Sequence, residues 1–510
     1  MEENGTSSNK RIAKNTLLLY ARMLLLLVVS LYTSRVVLAA LGIEDYGLYN
    51  VVGGIVAMFT FITRAMGNST SRFITFALGK GDETELNNVV GVSFRIHWVL
   101  AGIILILAET VGLWFLYNKM VIPDDRMTAA FWVYQFSIVS CMVSVISVPF
   151  NSMIIAHEKM GAFAFISILD AILKLLIVYL IQISPYDRLI FYAALLLGVM
   201  LLDRIIYQAY CYHHFDEAKH IRYHKSNLVK QMTSFAGWAM FGNLAYVGYT
   251  QGLNILLNMF FGPAVNAARG VAVQVQQVLN GFVTNFQTAV NPQITKSYAA
   301  NDNKRVLDLL MLSSKFSYFL MLFLCLPVFI EAPKLLNLWL VEVPDHTVNF
   351  IRLLILIMLA QTLHNPVSMI KSATGNIKVY QIVIGCIFLT IVPFSYFALK
   401  LGMVAEVVFV VHLLMQVTAQ TVAVFMVRKD IGLSFRYYLK SVLLNVSLVT
   451  IIASILPILM YLFMADTILS MIIVVLVSLL TSGISILYLG LRKTERDFLL
   501  GRIRGIIKKG

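Results

Sequence analysis

The chain has 510 residues, 59% of them hydrophobic and 13% charged, with a mean hydropathy of +0.80. That balance excludes an ordinary soluble globular domain, and apolar runs of about twenty residues between Thr16 and Gly490 predict one polytopic bundle of membrane helices. The net charge of +14 could suggest a nucleic-acid partner, but Lys and Arg gather in short connectors and at both ends, which is a topology signal, so none is expected.

The first fifteen residues, MEENGTSSNKRIAKN, are polar. The apolar stretch after them is too long for a signal peptide and lacks a small-residue cleavage site, so the first span is expected to be retained. Apolar windows bounded by breakers predict about fourteen spans in an all-α membrane protein. Six cover 16–40, 47–68, 91–117, 129–156, 162–183 and 189–210. Six more cover 232–260, 264–291, 309–331, 347–372, 379–399 and 403–427, and a last pair covers 440–464 and 467–490. The expected organisation is a cytoplasmic segment 1–15, an N-lobe 16–215, a C-lobe 229–438, a closing helix pair 439–490 and a basic tail 491–510. That tail reads equally as a solvated end or as an amphipathic helix lying on anionic lipid.

Under an even count of spans, Lys80, Lys159, Lys219, Lys296, Lys304, Lys378 and Lys429 fall on one side. Only a few cations, such as Lys119, Arg126, Arg188, Lys334 and Lys400, fall on the other. Positive charge near span ends is retained on the cytoplasmic side, so both termini are expected there, in a bacterial inner membrane. Cys141, Cys325 and Cys386 lie inside apolar runs and Cys211 at the end of one, which argues against a disulfide framework or a metal site.

Two segments recur. PFNSMIIA at 149–156 and NPVSMIKSA at 365–373 both close even-numbered spans, and Ser152-Met153-Ile154 stands 216 residues before Ser368-Met369-Ile370. LAALGIEDYGLYNVV from Leu38 also aligns with LNMFFGPAVNAARGVA from Leu257, with Gly42 over Gly262 at an offset of 220. Six spans per repeat is an even number, so duplicated halves keep one orientation, related by an axis along the membrane normal.

The eighth span carries Asn266, Arg269, Gln277, Asn280, Thr284, Gln287, Thr288 and Asn291. At about 100° per residue, all fall within about 60° of Asn266. Such a stripe cannot face hydrocarbon, so it faces either a water-filled cavity or a polar seam between helices, and its length favours the cavity. Of the eight positions 220 residues earlier, Tyr46, Tyr49, Thr60, Arg64, Asn68 and Ser71 are polar and Ala57 and Gly67 are not, so each half offers one polar helix, expected to face the other across a shared cavity.

Arginines within spans are functional candidates because an unpaired charge in lipid is expensive, and the guanidinium fork suits phosphate oxygens. Arg64 and Arg269 share the polar stripes; Arg22, Arg35 and Arg95 read equally as snorkelling to headgroups. Asp170 and Lys174 stand four apart in the fifth span, as a structural ion pair or as a candidate ion-coupling site. Glu109, Asp203 and Arg204 lie near span ends as interfacial anchors, and His97 and His364 as packing histidines. No nucleotide loop, zinc spacing or nucleophile elbow stands in a suitable context, so no cofactor, metal or catalytic residue is expected, and transport is favoured over catalysis.

With LGIEDYGLYNVVGGIV after the first span, FFGPAVNAARGVA after the seventh and NPQITKSYAANDNKR after the eighth, the sequence resembles the polysaccharide flippases, the Wzx-type O-antigen flippases of the MATE-like MOP superfamily. The resemblance covers nearly the whole chain. It implies two pseudo-symmetric six-helix lobes in a V shape plus two C-terminal helices. It also implies movement of an undecaprenyl-diphosphate-linked oligosaccharide from the inner to the outer leaflet by alternating access, for surface polysaccharide, with polysaccharide assembly proteins as partners. Related flippases line their cavity with arginines in the first, second and eighth spans, which maps onto Arg22, Arg64 and Arg269, with Asn68, Ser71, Asn266, Gln277, Asn280, Thr284, Gln287 and Asn291 as cavity lining. Two rivals stand beside this. One is a cation-coupled exporter of small drugs from the same superfamily, and the other a membrane glycan transferase or non-transporting scaffold.

Overall fold

The computed structural model describes residues 14–29, 60–118, 122–182, 187–219, 226–340 and 343–492, with scattered positions between 12 and 52 and at 496. Helices follow one another along the chain, and the described residues contain no β-strand. They are α1 (14–29), α2 (Thr60–Lys80), α3 (Glu83–Asn118), α4 (Met127–Ala156), α5 (Met160–Gln182), α6 (Arg188–His214) and α7 (Ser226–Phe261). The series continues with α8 (Pro263–Ala299), α9 (Asn303–Trp339), α10 (Thr347–Thr374), α11 (Lys378–Lys400), α12 (Val407–Ile431), α13 (Phe435–Phe463) and α14 (Ile468–Gly490). Among the described residues ten helices are long and apolar enough to cross a membrane; α7 and α8 are long enough but too polar to be counted among them. This makes the chain a multi-pass, all-α membrane protein.

Several helices outrun the apolar windows that announced them. α2 continues to Lys80 rather than 68, α3 starts at Glu83 rather than 91, α8 continues to Ala299 rather than 291, and α9 starts at Asn303 rather than 309. Hydropathy reports the thickness of the hydrocarbon slab, whereas the backbone ladder stops only where a cap or a left-handed residue stops it.

The stops repeat. Gly81 and Asn301, 220 residues apart, both adopt positive φ (70° and 57°), a conformation open to glycine and tolerated by asparagine. Each is followed by an aspartate that caps the next helix: Asp82 accepts from the Glu85 amide at 2.9 Å and Asp302 from the Arg305 amide at 3.0 Å. The offset of 220 is the one that separates Gly42 from Gly262 in the sequence.

Contacts divide the chain into two compact units, Met1–Asn243 with Tyr298–Ala300, and Leu244–Ser297 with Asn301–Gly510. In the first, α4 packs on α2, α3 and α6, and α5 on α6. In the second, α10 packs between α9 and α12, α11 lies on α12, and the α13–α14 hairpin lies on α9.

A proline inside a helix frees the carbonyl four residues earlier. Pro333 frees that of Phe329, which accepts from Arg352 Nε at 3.0 Å, and Pro457 frees that of Ala453, which accepts from Thr481 Oγ1 at 2.9 Å. In lipid an orphaned carbonyl has no water to turn to, and these two prolines each come with a neighbouring donor.

Each unit also pins its most closely packed helices at their ends, by ion pairs and by histidine–carboxylate contacts. In the first unit Arg126, at the head of α4, reaches Asp187 at 2.6 Å and Asp45 at 2.5 Å, and at the other end His157 meets Glu217 at 2.6 Å. In the second, His346 at the head of α10 meets Glu406 at 2.8 Å, and Lys371 meets Asp430 at 2.8 Å. Arg126 and His346 are 220 residues apart, and Asp187 and Glu406 219, each immediately preceding its helix. Burial opposes charge on Asp187, but the Ile190 amide and the Arg126 guanidinium outweigh it and hold the carboxyl below its ordinary value. Glu406 is held low in the same way, burial being overcome by Asn349 and His346.

Candidate functional site

α7 and α8 are joined by a tight turn in which Gly262 takes φ 80°, open to glycine because it has no Cβ. The turn folds α8 back along α7, and Arg269 reaches across: Nη1 donates to Asn254 Oδ1 at 3.2 Å and Nη2 to the Thr250 carbonyl at 2.8 Å. Both partners are neutral, so the guanidinium is oriented but not neutralised by them. Its Nε is buried without a hydrogen-bond partner, and so is Oδ1 of Asn266, one turn earlier. Beneath it, Tyr249 stacks edge-on against His412 of α12 at 5.0 Å between ring centres, and Tyr246 packs on Tyr249 at 5.4 Å. Positive charge, amide groups and aromatic faces are thereby gathered on one stretch of the second unit, a combination suited to an anionic ligand carrying hydroxyl groups.

Further along α8 the expected stripe is present but not uniform. Gln277 and Thr284 are exposed, and Asn280 and Asn291 half-buried. Gln287 is buried and used internally: Nε2 donates to Ser317 Oγ at 3.1 Å and Oε1 accepts from Asn365 at 3.2 Å, tying α8 to α9 and α10.

In the first unit, Asn68 is exposed on α2 and Ser71 half-buried, and Arg95 is exposed on α3. Arg64 lies on α2, and its side chain lies outside the described residues, as does Arg35. Arg22 is half-buried on α1 with its guanidinium 4.5 Å from the ring centre of Phe163, in the field of Tyr207 and Asp170; its Nε makes no hydrogen bond. Asp170 pairs with Lys174 at 2.8 Å, and the carboxyl of Asp203 on α6 stands in the field of both. His97 is fully buried with Nδ1 on the Ser93 carbonyl at 2.8 Å, and His364 Nε2 lies 3.2 Å from Tyr380 Oη. Among the described residues no group of His, Cys, Asp and Glu is arranged to hold a metal ion.

Residues 10–298 match the family described as "Polysaccharide biosynthesis protein". The chain belongs to that family. Residues 239–397 match a second family, described as MatE. Solved structures share the fold at 14% identity, each covering 83% of this chain and 96% of the other. One is a mutant form of a MATE protein, with a TM-score of 0.72, and one an outward-facing multidrug resistance MATE family transporter of the MOP superfamily, at 0.71. A third is a MOP superfamily transporter from Pyrococcus furiosus Vc1, whose report describes a binding pocket of reversed polarity, at 0.70. No curated protein matches the chain. This member of the polysaccharide biosynthesis family therefore has the fold of the MATE structures.

Proposed function

We propose that the chain translocates a polyprenyl-diphosphate-linked oligosaccharide between the leaflets of a bacterial inner membrane by alternating access, in surface polysaccharide synthesis, with both termini cytoplasmic. The observation that carries this reading is Arg269: a half-buried cation, aimed by the neutral Asn254 and Thr250, with donor capacity left for an anion. The match over residues 10–298 supports the polysaccharide class. On this reading Arg22, Arg64 and Arg269 hold the diphosphate. The sugars exchange their water for the amides and hydroxyls of Asn266, Gln277, Asn280, Thr284 and Asn291 on α8 and of Asn68 and Ser71 on α2, since an unpaired polar group in an apolar setting costs several kcal/mol. Asp170, with Lys174, takes the ion-coupling role.

The test is a flipping assay in proteoliposomes with a fluorescent prenyl-diphosphate glycan, comparing Arg269→Ala with wild type at equal membrane abundance. Losing a charged hydrogen bond to phosphate is worth about 1.5–3 kcal/mol, so flipping should fall by roughly tenfold or more. Undiminished flipping rejects the assignment.

The match of residues 239–397 to MatE favours a second reading, export of small molecules. Uptake of a cationic dye into inverted vesicles, with no flipping of the glycan lipid, would establish that reading in place of the first.

A further inference from the structure

Near the far end of α9, Glu331 interrupts the helix with non-helical backbone angles (φ −95°, ψ 18°) between Pro327 and Pro333. Its side chain is wholly buried, and neither carboxyl oxygen has a hydrogen-bond partner. The nearest charge is the ammonium of Lys334, one turn on, at 3.5 Å. That ammonium is shared: Nζ also lies 3.1 Å from Asp466, donates to Ser470 Oγ at 3.3 Å, and sits 5.7 Å from the ring centre of Tyr461. From α10 comes Arg352, whose guanidinium is spent on the carbonyls of Phe329 and Ile330 at the kink. The charged and titratable groups around Glu331 are thus Lys334 on its own helix, Arg352 from α10, Tyr461 from α13 and Asp466 from the turn before α14.

An ionised carboxylate held out of water at the depth of a membrane helix costs several kcal/mol unless hydrogen bonds and a close counter-charge offset it. Glu331 has no hydrogen bond, and its one counter-charge is shared with the largely exposed Asp466. A metal cation is disfavoured at the same place, because Lys334 stands beside the carboxyl and Arg352 already occupies the carbonyls the kink sets free. We propose that Glu331 is a proton-binding site of the second unit. With the proton on Glu331, Lys334 clasps Asp466 and Ser470 and so fastens the start of α14 to α9. When the proton leaves, the carboxylate draws Lys334 inward and the clasp on α14 loosens. Lys334, partly exposed, and Asp466 mark the way to water. Proton occupancy is in this way exchanged against a contact between helices, which gives a proton gradient a place to act on the fold. The inference concerns Glu331 alone and stands apart from the choice of substrate.

Infrared difference spectroscopy of the full chain in lipid nanodiscs tests it without any substrate. Wild type minus Glu331→Gln should contain the C=O stretch of a protonated carboxyl at neutral pH, converting to carboxylate bands as pH rises and unmoved by added sodium. Lys334→Met, which removes the counter-charge, should keep the protonated band to higher pH. The proposal is overturned if Glu331→Gln removes only carboxylate bands across the whole pH range, because Glu331 is then half of a permanent ion pair. It is equally overturned if the protonated band never converts, or if sodium displaces it. Glu331→Gln is close to isosteric, and if it fails to fold, the pH series on wild type and Lys334→Met gives the same decision.

Discussion

Replacing Arg126 by Met removes the centre of a three-residue cluster and leaves two carboxylates, Asp45 and Asp187, facing one another. Each charged hydrogen bond is worth about 1.5–3 kcal/mol when enclosed, and less than about 1 kcal/mol when fully exposed. The three side chains are 21–31% exposed, which places each bond nearer about 1 kcal/mol. Adding the repulsion left behind, the loss should be about 2–3 kcal/mol, or roughly 4–12 °C in Tm for a unit of this size. Thermal unfolding of the purified protein in detergent, followed by tryptophan fluorescence, measures it, with Asp187→Asn and the double variant completing a cycle. The pH dependence has a definite sign. Asp187 is held below its ordinary value, so its contribution is complete above the ordinary carboxylate range and is lost as pH falls through the depressed value. Wild type should therefore lose its advantage over Arg126→Met in acid. Strictly additive single variants, or a difference in Tm that stays constant down to strongly acidic pH, would refute the coupling.

Two further outcomes follow from local geometry. A Cβ at Gly252 of α7 would stand 2.6 Å from Val392 Cγ2 on α11, so Gly252→Ala should destabilise by about 1–3 kcal/mol, and Val392→Ala in the same chain should recover much of that in thermal unfolding. Asp82→Ala and Asp302→Ala should each lose about 1 kcal/mol of helix-cap stability, with similar increases in hydrogen exchange at the starts of α3 and α9; unequal effects would argue against equivalence of the two sites.

Much of the architecture could be read before any coordinates, because hydrocarbon imposes a single rule that sequence displays directly: long apolar runs, punctuated by cations and glycines. Gly262 at its turn and the polar face of α8 came from the same reasoning. Hydropathy alone could not give the helix ends, since Asp82 and Asp302 act through cap geometry in segments too polar to register. Nor could periodicity say which stripe residues find partners. Gln287 and Asn280 share one face, yet only Gln287 meets Ser317 and Asn365, because those come from helices at least 30 residues away. The paired Arg126–Asp187 and His346–Glu406 ties escaped notice because their chemistry differs between the halves, although their spacing does not.

That α7 and α8 are too polar to be counted among the membrane-crossing helices bears on how the protein is made. A segment that lipid would reject must enter alongside neighbours able to shelter its amides and its arginine, so biogenesis has to be cooperative. The stretch from Ser226 to Ala299 should wait at the insertion machinery until later, greasier helices emerge. Truncated nascent chains ending soon after Ala299 would then leave α7 and α8 outside the bilayer, open to proteases.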